Sequence, residues 1–466
     1  MPSQEKEHTL TEAPVNTLLV KMAAPISLGM ISTFLFQIVD TYFVGLLGPA
    51  ELAALTFASN AYLVLVSIYV GFSVGVSSVV AKAIGAGKKE RARVLTSLAL
   101  SSVLILSILL SIAGVRTMDP LFAVLGAQPE TLPLIASYMN VLYLGLPFLM
   151  IGIIGGGALR AIGITRDTEI VFAIAGVVNL LFDYILIFGI GPFPALGITG
   201  AAWATVLSFL FIFGGVGTLL VRNRLLSASG LNDILKDLRE IFAISLPAIF
   251  MQILTPVTAV FTTLLLARYG PDTVAAFGVA SRIEALALVG ISAISMAATP
   301  FVAQNFGAGK HGRIDEAIVF AGKASLLIGL CLFIVLALAG SHIAKIFTRD
   351  PGIVEFVSLY FRIVALSYGF QGIVNVTAAV FNGLQAPLSA LKLMFVRTAL
   401  IVLPALAIGS LFGPLWILIA LCAANILAAG YARRLLMTSA TRWNHTRVSS
   451  NPVRDISKGI RKLLQR

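Results

Sequence analysis

Long apolar runs follow one another along almost the whole chain, separated by short segments rich in glycine, proline and charged residues. Most of these runs reach the roughly 18 to 20 residues that an α-helix needs to cross a bilayer. They are too long and too uniformly apolar for barrel strands, so the pattern predicts an all-α polytopic membrane protein. Twelve spans are predicted, near residues 17–46, 52–81, 94–115, 132–158, 168–190, 196–221, 240–268, 273–303, 315–340, 352–382, 388–411 and 413–435.

The second half of the chain repeats the first at a constant offset. Pro25 corresponds to Pro247, and the Gly-Ala-Gly-Lys segment at 85–88 corresponds to the one at 307–310. Each repeat therefore holds six helices, and an even number leaves both repeats facing the same way, as parallel repeats. The predicted organisation is a tail (1–15), an amino-terminal lobe of helices 1–6 (16–221), a linker (222–239), a carboxy-terminal lobe of helices 7–12 (240–440) and a basic tail (441–466).

Composition supports a polytopic membrane protein, and the distribution of charge indicates on which side of the membrane the termini lie. The chain is 58% hydrophobic and only 12% charged, with a mean hydropathy of +0.97. The turns after spans 2, 4, 6 and 8 hold thirteen basic residues, whereas the opposite turns hold only Arg116, Arg268, Lys345 and Arg349. The positive-inside rule then predicts that both termini are cytoplasmic, in a cell inner (plasma) membrane. The net charge of +12 therefore reflects membrane topology, and we expect no nucleic-acid partner.

Two acidic residues lie deep within apolar spans, where charge is costly and usually functional. Asp40 lies in span 1, and Asp183 lies in span 5 one turn after Asn179. The i, i+4 spacing puts Asn179 and Asp183 on one helical face, and an amide can hydrogen-bond a carboxyl group in either protonation state. These three residues are predicted to form a proton or cation coupling site; the alternative is that they only hold helices together.

Other polar residues carry weaker signals. Gln37, Tyr42 and Thr205 are candidate neighbours of the acids, and Glu284 and Arg282 in span 8 are candidate structural or cleft residues. Further bases in the spans, Arg397 among them, are expected to extend to the membrane surface. The Gly-Ala-Gly-Lys segments favour tight turns over phosphate loops. No nucleophile–base arrangement or metal motif is present, which points away from an enzyme. The basic tail predicts either an interfacial helix on anionic lipid or a solvated segment.

These features together resemble the multidrug and toxic compound extrusion (MATE) transporters over residues 16–440. The resemblance rests on the duplicated six-helix halves, the Asp40 segment, the Gly-x-Gly-Lys turns and Leu159-Arg160-Ala161-Ile162-Gly163 after span 4. Asp40 with Asn179-x-x-x-Asp183 is similar to the DinF-type branch, whose acids lie in the amino-terminal lobe. The NorM-type branch has acids in spans 7 and 10, where this chain has Thr262 and no acid.

The resemblance implies an antiporter in which two bundles form a central cleft that opens alternately to the two sides of the membrane. It implies export of amphipathic, mostly cationic compounds in exchange for protons, with Asp40 and Asp183 as the protonation site, no cofactor, and a monomer as the functional unit. Sodium coupling, a lipid-linked sugar flippase of the wider superfamily, and a channel or scaffold remain alternatives.

Overall fold

The structure is a computed structural model that describes residues 10–227 and 233–443; the side chains of Thr255 and of residues 440–443 are outside the description. Within these residues every regular element is helical, and eleven helices are long and apolar enough to cross a membrane. A twelfth span is a bent pair of helices. The predicted all-α architecture of twelve spans is therefore confirmed. The predicted tail helix lies outside the described residues.

The helices of the first repeat are unbroken. They are α1 (Val15–Gly45), α2 (Pro49–Gly85), α3 (Lys89–Val124), α4 (Leu132–Ala161), α5 (Arg166–Phe188) and α6 (Ile198–Arg222). Proline occurs inside α1, α3 and α4, yet none of these helices ends there, because neighbouring helices can support a backbone that lacks one hydrogen bond.

The second repeat contains the same spans with three of them interrupted. Its helices are α7 (Ile234–Leu266), α8 (Pro271–Ala287), α9 (Val289–Gly307), α10 (His311–Phe347), α11 (Pro351–Ile363), α12 (Tyr368–Gly383), α13 (Pro387–Phe395), α14 (Leu403–Gly409) and α15 (Pro414–Trp443). A 47° bend separates α8 from α9. A 3₁₀ segment (Val364–Ser367) joins α11 to α12, and a π-helical segment (Val396–Val402) joins α13 to α14. Local π-helix is uncommon and is frequent at functional sites.

The described residues divide into two compact units, which we call unit 1 (residues 28–249) and unit 2 (residues 10–27 and 250–443). The division falls within α1 and within α7, at equivalent positions of the repeat. The start of α1 thus packs with the second repeat, and the start of α7 packs with the first. The predicted lobes (16–221 and 240–440) place each helix start in its own repeat. In the structure, the starts of α1 and α7 each pack with the other repeat.

Glycines allow the start of α7 to approach α2 in unit 1. A Cβ atom at Gly75 would lie 2.1 Å from Ser245 Oγ, and one at Gly71 would lie 2.5 Å from the Ile249 Cα. The two glycines are four residues apart, as are Ser245 and Ile249, which is the spacing of small residues in closely packed membrane helices. Close backbone packing, together with the Phe242 ring that lies 5.5 Å from the Phe72 ring, holds this helix start against α2.

Polar contacts fasten the same two helix starts at the predicted cytoplasmic side. In unit 1, Arg91 pairs with Asp237 over 3.3 Å and with Glu240. In unit 2, the backbone of the segment before α1 is bound by side chains: Gln304 Oε1 accepts the Leu10 amide over 2.9 Å, and Arg313 donates to the Ala13 carbonyl over 2.6 Å. Arg91 and Arg313 are equivalent positions of the repeat. Each holds the start of a helix from the other repeat, Arg91 through ion pairs in unit 1 and Arg313 through a backbone carbonyl in unit 2.

The Gly-Ala-Gly-Lys segments form helix ends, as the tight-turn prediction requires. Gly87 and Gly309 have φ values of +73° and +68°, which L-residues with side chains rarely adopt. The amides of Lys88 and Lys310 each reach back to a carbonyl five residues earlier, at 2.9 and 2.8 Å. This is the Schellman pattern that closes an α-helix, and it explains both glycines without a bound phosphate.

Candidate functional site

The register between α1 and α5 in unit 1 determines where the two acids lie. A Cβ atom at Gly29 would lie 2.2 Å from Glu169 Oε2, and one at Gly176 would lie 1.9 Å from the Phe36 ring. The sequence separation is the same in both pairs, and the pairs lie two turns apart, so the helices run alongside in a constant register. Asp40, one turn beyond Phe36, is then level with the segment between Asn179 and Asp183.

Asp183 is fully buried, and neither of its carboxylate oxygens has a hydrogen-bond partner among the described residues. Asp40 Oδ1 is likewise buried and without a partner. The two carboxyl groups interact electrostatically. A buried carboxylate without a counter-charge or a donor is costly, and a bound proton or cation removes that cost. Two adjacent acids of this kind are the arrangement that suits reversible binding of a cation.

Polar side chains of α4, α5 and α6 lie near the acids, and Tyr62 of α2 lies beyond Tyr138. The Asn179 amide donates to the Thr205 hydroxyl of α6 over 3.4 Å, and Thr205 donates to the Ala201 carbonyl over 3.0 Å. Tyr138 of α4 is buried; it interacts electrostatically with both acids and lies against Thr205. Tyr62 of α2 interacts with Tyr138 and stacks on Phe209, with ring centroids 6.4 Å apart. The site is therefore acidic and aromatic.

The predicted site residues divide into two groups. Asp40, Asn179, Asp183 and Thr205 lie in one cluster, as described above. Gln37 and Tyr42 have exposed side chains, and neither makes a hydrogen bond to the acids in the described structure. Tyr42 follows Asp40 by two residues, so helical geometry turns it to the opposite face, where it packs against Phe43 at 5.9 Å between ring centroids. Gln37 lies one turn before Asp40, outside the buried cluster.

Glu284 belongs to a second polar cluster, inside the apolar core of unit 2. Its carboxylate accepts a hydrogen bond from Tyr360 and interacts electrostatically with Arg397. Arg397 donates to Asn425 Oδ1 over 3.4 Å, and Asn425 donates to the Ser367 hydroxyl over 3.1 Å. Arg282, two residues from Glu284, is exposed and lies outside this cluster.

The expectation that Arg397 extends to the membrane surface is wrong. Only 9% of Arg397 is exposed, because the π-helical segment places it inside unit 2 near Glu284. The participation of Tyr138 and Tyr62 in the first cluster was also missed. Single tyrosines within apolar helices have no diagnostic spacing, so only the packing of the helices brings Tyr138 to the acids and Tyr62 to Tyr138.

Comparison with known proteins agrees with this architecture. The MatE family model matches residues 25–185 and 247–408, two stretches that begin at equivalent positions of the repeat. The chain is 35% identical to the "FAD transporter" of Shewanella oneidensis over 424 residues (90% of this chain, 94% of the relative). It is 26% identical over 455 residues to "Multidrug export protein MepA" of Staphylococcus aureus (94% and 98%).

A solved structure gives the same result at the level of the fold. The crystal structure of the Vibrio cholerae MATE transporter VcmN in the bent form matches with a TM-score of 0.88 and 28% identity, covering 92% of this chain and 98% of that chain. The predicted resemblance is thus confirmed by a family model that matches both repeats, by relatives over nearly their whole length and by structure. The chain is a multi-pass membrane protein and belongs to the MATE family of transporters.

Proposed function

We propose that this protein is a secondary active exporter in which Asp40 and Asp183 take up protons and thereby release substrate. The observation that carries the proposal is the mutually interacting pair of acids, whose buried oxygens lack protein partners in the described structure. An anionic site favours a cationic substrate, and protonation of the same carboxyls removes that preference. Asn179 and Tyr138 supply polar groups that suit either protonation state.

The proposed orientation places both termini in the cytoplasm of a cell inner membrane, so that the proton gradient drives export. One proton moving down about 100 mV releases about 2.3 kcal/mol, and one pH unit adds about 1.4 kcal/mol. At about 1.4 kcal/mol per tenfold ratio, the sum supports a gradient of several hundredfold for a neutral substrate. Exchange of one cation for one proton cancels the electrical part, so the response to voltage reports the substrate charge.

For the substrate we propose amphipathic organic cations, because the acids lie among aromatic rings. A cation over an aromatic face gains about 0.5–2 kcal/mol, and the Tyr62–Phe209 stack offers such faces. The relative named as a multidrug export protein supports the same class.

A flavin dinucleotide is the second candidate. The relative with 35% identity is named as an FAD transporter, and the aromatic residues of unit 1 can stack on a flavin ring as readily as on a lipophilic cation. The two candidates differ in charge. One-for-one exchange of a monovalent cation with a proton is indifferent to a membrane potential, whereas export of an anionic dinucleotide in exchange for protons is accelerated by a negative interior.

The test is efflux from proteoliposomes under an imposed pH gradient and, separately, a sodium gradient, with ethidium and FAD as the two cargoes. Asp40→Asn and Asp183→Asn should abolish proton-driven efflux, while the exposed acid-to-amide control Asp119→Asn should retain it. Full activity of both site variants contradicts the assignment. Efflux driven only by sodium replaces the proton as the coupling ion, and no efflux of either cargo favours lipid-linked sugar flipping.

A further inference from the structure

A cavity of about 700 Å³ lies in unit 2 between the end of α10 and the length of α11. From α10 and its end, Ser341, Lys345 and Thr348 line the cavity, at spacings of four and three residues. The spacing of four residues places Ser341 and Lys345 on one face of α10, and Thr348 follows the helix end in an extended conformation. The cavity lies at the side opposite the Gly-Ala-Gly-Lys turns, because α10 begins immediately after the second of those turns.

The face of α11 that lines the cavity is also polar. Glu355, Ser358 and Arg362 follow one another at three and four residues, and Ser358 is largely buried. Arg362 is eleven residues beyond the start of α11, which corresponds to about 16 Å along the helix. A polar stripe of this length on a membrane-spanning helix is costly against hydrocarbon alone. The stripe requires a polar occupant or contact with the headgroup layer.

The turn between the two helices holds a third base in place. Asp350 caps α11 by accepting the Ile353 amide over 3.0 Å, and its own amide donates to the Thr348 hydroxyl over 3.2 Å. Arg349 therefore lies in a turn that the two hydrogen bonds of Asp350 hold in place. In the part of the chain that the structure describes, Lys345, Arg349 and Arg362 form no salt bridge. With Glu355 as the lining acid, the cavity has an excess of two positive charges.

The distribution of charge along the chain makes this cluster unusual. The predicted outer turns hold only four basic residues, and Lys345 and Arg349 are two of them. On α10 the same helical face continues towards the membrane centre with apolar, exposed residues: Leu338 is 76% exposed and Ile334 is 48% exposed. A basic region at the membrane surface next to an apolar face is the layout that matches a phospholipid.

We propose that this cavity binds a phosphate group through Lys345, Arg349 and Arg362, supplied either by an anionic phospholipid headgroup or by soluble phosphate. A guanidinium fork binds phosphate oxygens through paired, charge-assisted hydrogen bonds, and Ser341, Thr348 and Ser358 provide additional hydroxyl donors. The apolar continuation of the α10 face favours the lipid as the source.

The test measures thermal unfolding of the purified full chain in detergent, titrated with phosphatidylglycerol, with phosphatidylcholine, or with inorganic phosphate. The cavity variant is Arg349→Gln/Arg362→Gln. The matched control is Arg116→Gln/Arg268→Gln, which removes two exposed arginines of the same predicted side, one in the last part of α3 and one after α7, both outside the cavity. The cavity variant should bind phosphatidylglycerol about tenfold more weakly, whereas the control should stay within about twofold of the wild type.

The three titrations separate the sources of phosphate. Protection by phosphatidylglycerol alone, lost in the cavity variant, identifies a lipid headgroup site; equal protection by inorganic phosphate, lost in the same variant, identifies a soluble phosphate site. Unchanged affinity of the cavity variant for both ligands overturns the proposal. If the double variant does not fold, Arg349→Gln alone is used, with an expected loss of about threefold.

Discussion

Gly176 is the residue whose enlargement should most directly disturb the acidic site without changing its chemistry. It lies on α5, where the Phe36 ring of α1 rests on the backbone, one turn from the level of Asp40 and two turns before Asp183. In Gly176→Ala the new methyl group would lie 1.9 Å from Phe36 Cδ2 and 2.0 Å from Cε2. The two helices then have to separate or shift in register, and Asp40 moves relative to Asp183.

The size of the effect follows from the overlap. Ordinary contact begins at 3.4 Å, so the ring has to move by about 1.5 Å to reach a favourable carbon–carbon separation. Overpacking of this kind costs about 1–3 kcal/mol. Replacing a helical glycine by alanine returns about 0.5–1 kcal/mol. The clash outweighs that gain, and the net loss in the free energy of unfolding is about 1–2 kcal/mol, with transport reduced because the acid pair is displaced.

The assay is a double-mutant cycle measured by thermal unfolding and by proton-driven efflux from proteoliposomes. Phe36→Ala removes the clashing ring, so the variant with both substitutions should recover much of the stability and transport lost in Gly176→Ala. The matched control is Gly214→Ala on α6, where no atom lies within 4 Å of the added methyl group. That control should leave transport unchanged and the stability equal or slightly higher.

Two results would refute this reasoning. If Gly176→Ala matches Gly214→Ala in both assays, the contact between α1 and α5 does not position the acids. If Gly176→Ala is impaired but Phe36→Ala does not restore it, the loss arises elsewhere than at the Phe36 ring.

Two further substitutions test the packing of unit 1. Glu169→Gln leaves Arg160 without its counter-charge; the two side chains are 3.2 Å apart, and 11% of each is exposed. Because breaking a buried pair costs about 3–5 kcal/mol, thermal unfolding should show a lower free energy of unfolding. Gly75→Ala places a methyl group 2.8 Å from the Ser245 backbone as well as 2.1 Å from its hydroxyl; since backbone cannot rotate away, the yield of folded protein on size-exclusion chromatography should fall.

Each of these substitutions has a control, which is an exposed ion pair for Glu169→Gln and an unobstructed glycine for Gly75→Ala. Arg93→Gln breaks a pair with Glu90 in which the side chains are 35% and 57% exposed, and exposed pairs contribute about 0–1 kcal/mol. Gly217→Ala adds a methyl group with no atom within 4 Å. A Glu169→Gln protein as stable as Arg93→Gln would contradict the packing of α4 against α5, and a Gly75→Ala yield equal to that of Gly217→Ala would contradict the packing of α2 against α7.

The sequence predicts the spans and the repeat well because both are local properties: hydrophobic length determines a span, and a constant offset identifies duplication. It also predicts that Asn179 and Asp183 share a face, since four residues make about one turn. It does not predict that Asp40 is level with them, because that depends on Gly176 admitting the Phe36 ring. Nor does it predict the break at Leu288, where no proline interrupts the span.

The sequence also does not predict that the starts of α1 and α7 each pack with the other repeat. Pro25 and Pro247 mark equivalent positions in the repeat, but a proline near the start of a helix does not reveal which repeat that helix packs against. The small residues Gly71 and Gly75 are visible in the sequence, whereas their partners on α7 are identified only by the packing.

The two polar clusters occupy equivalent places in the repeat, and their differences indicate which one exchanges ions. Tyr138 corresponds to Tyr360 and Tyr62 corresponds to Glu284, so the second repeat has its acid where the first has a tyrosine. Glu284 has a hydrogen bond from Tyr360 and the nearby charge of Arg397. The acids of unit 1 have neither within the described residues, since their buried oxygens lack partners.

An acid that is compensated by protein groups is a structural element, whereas an acid that is not compensated has to obtain its counter-charge from a proton or a substrate. Glu284→Gln should therefore lower the unfolding temperature, because Arg397 loses its counter-charge in the core, while the pH dependence of efflux keeps its wild-type shape. Asp40→Asn should instead abolish the efflux driven by the pH gradient, with little loss of stability. Efflux measured on both variants from about pH 5 to about pH 8, where folded proteins are generally most stable, separates the two roles. A displaced pH profile in Glu284→Gln would show that unit 2 also exchanges protons.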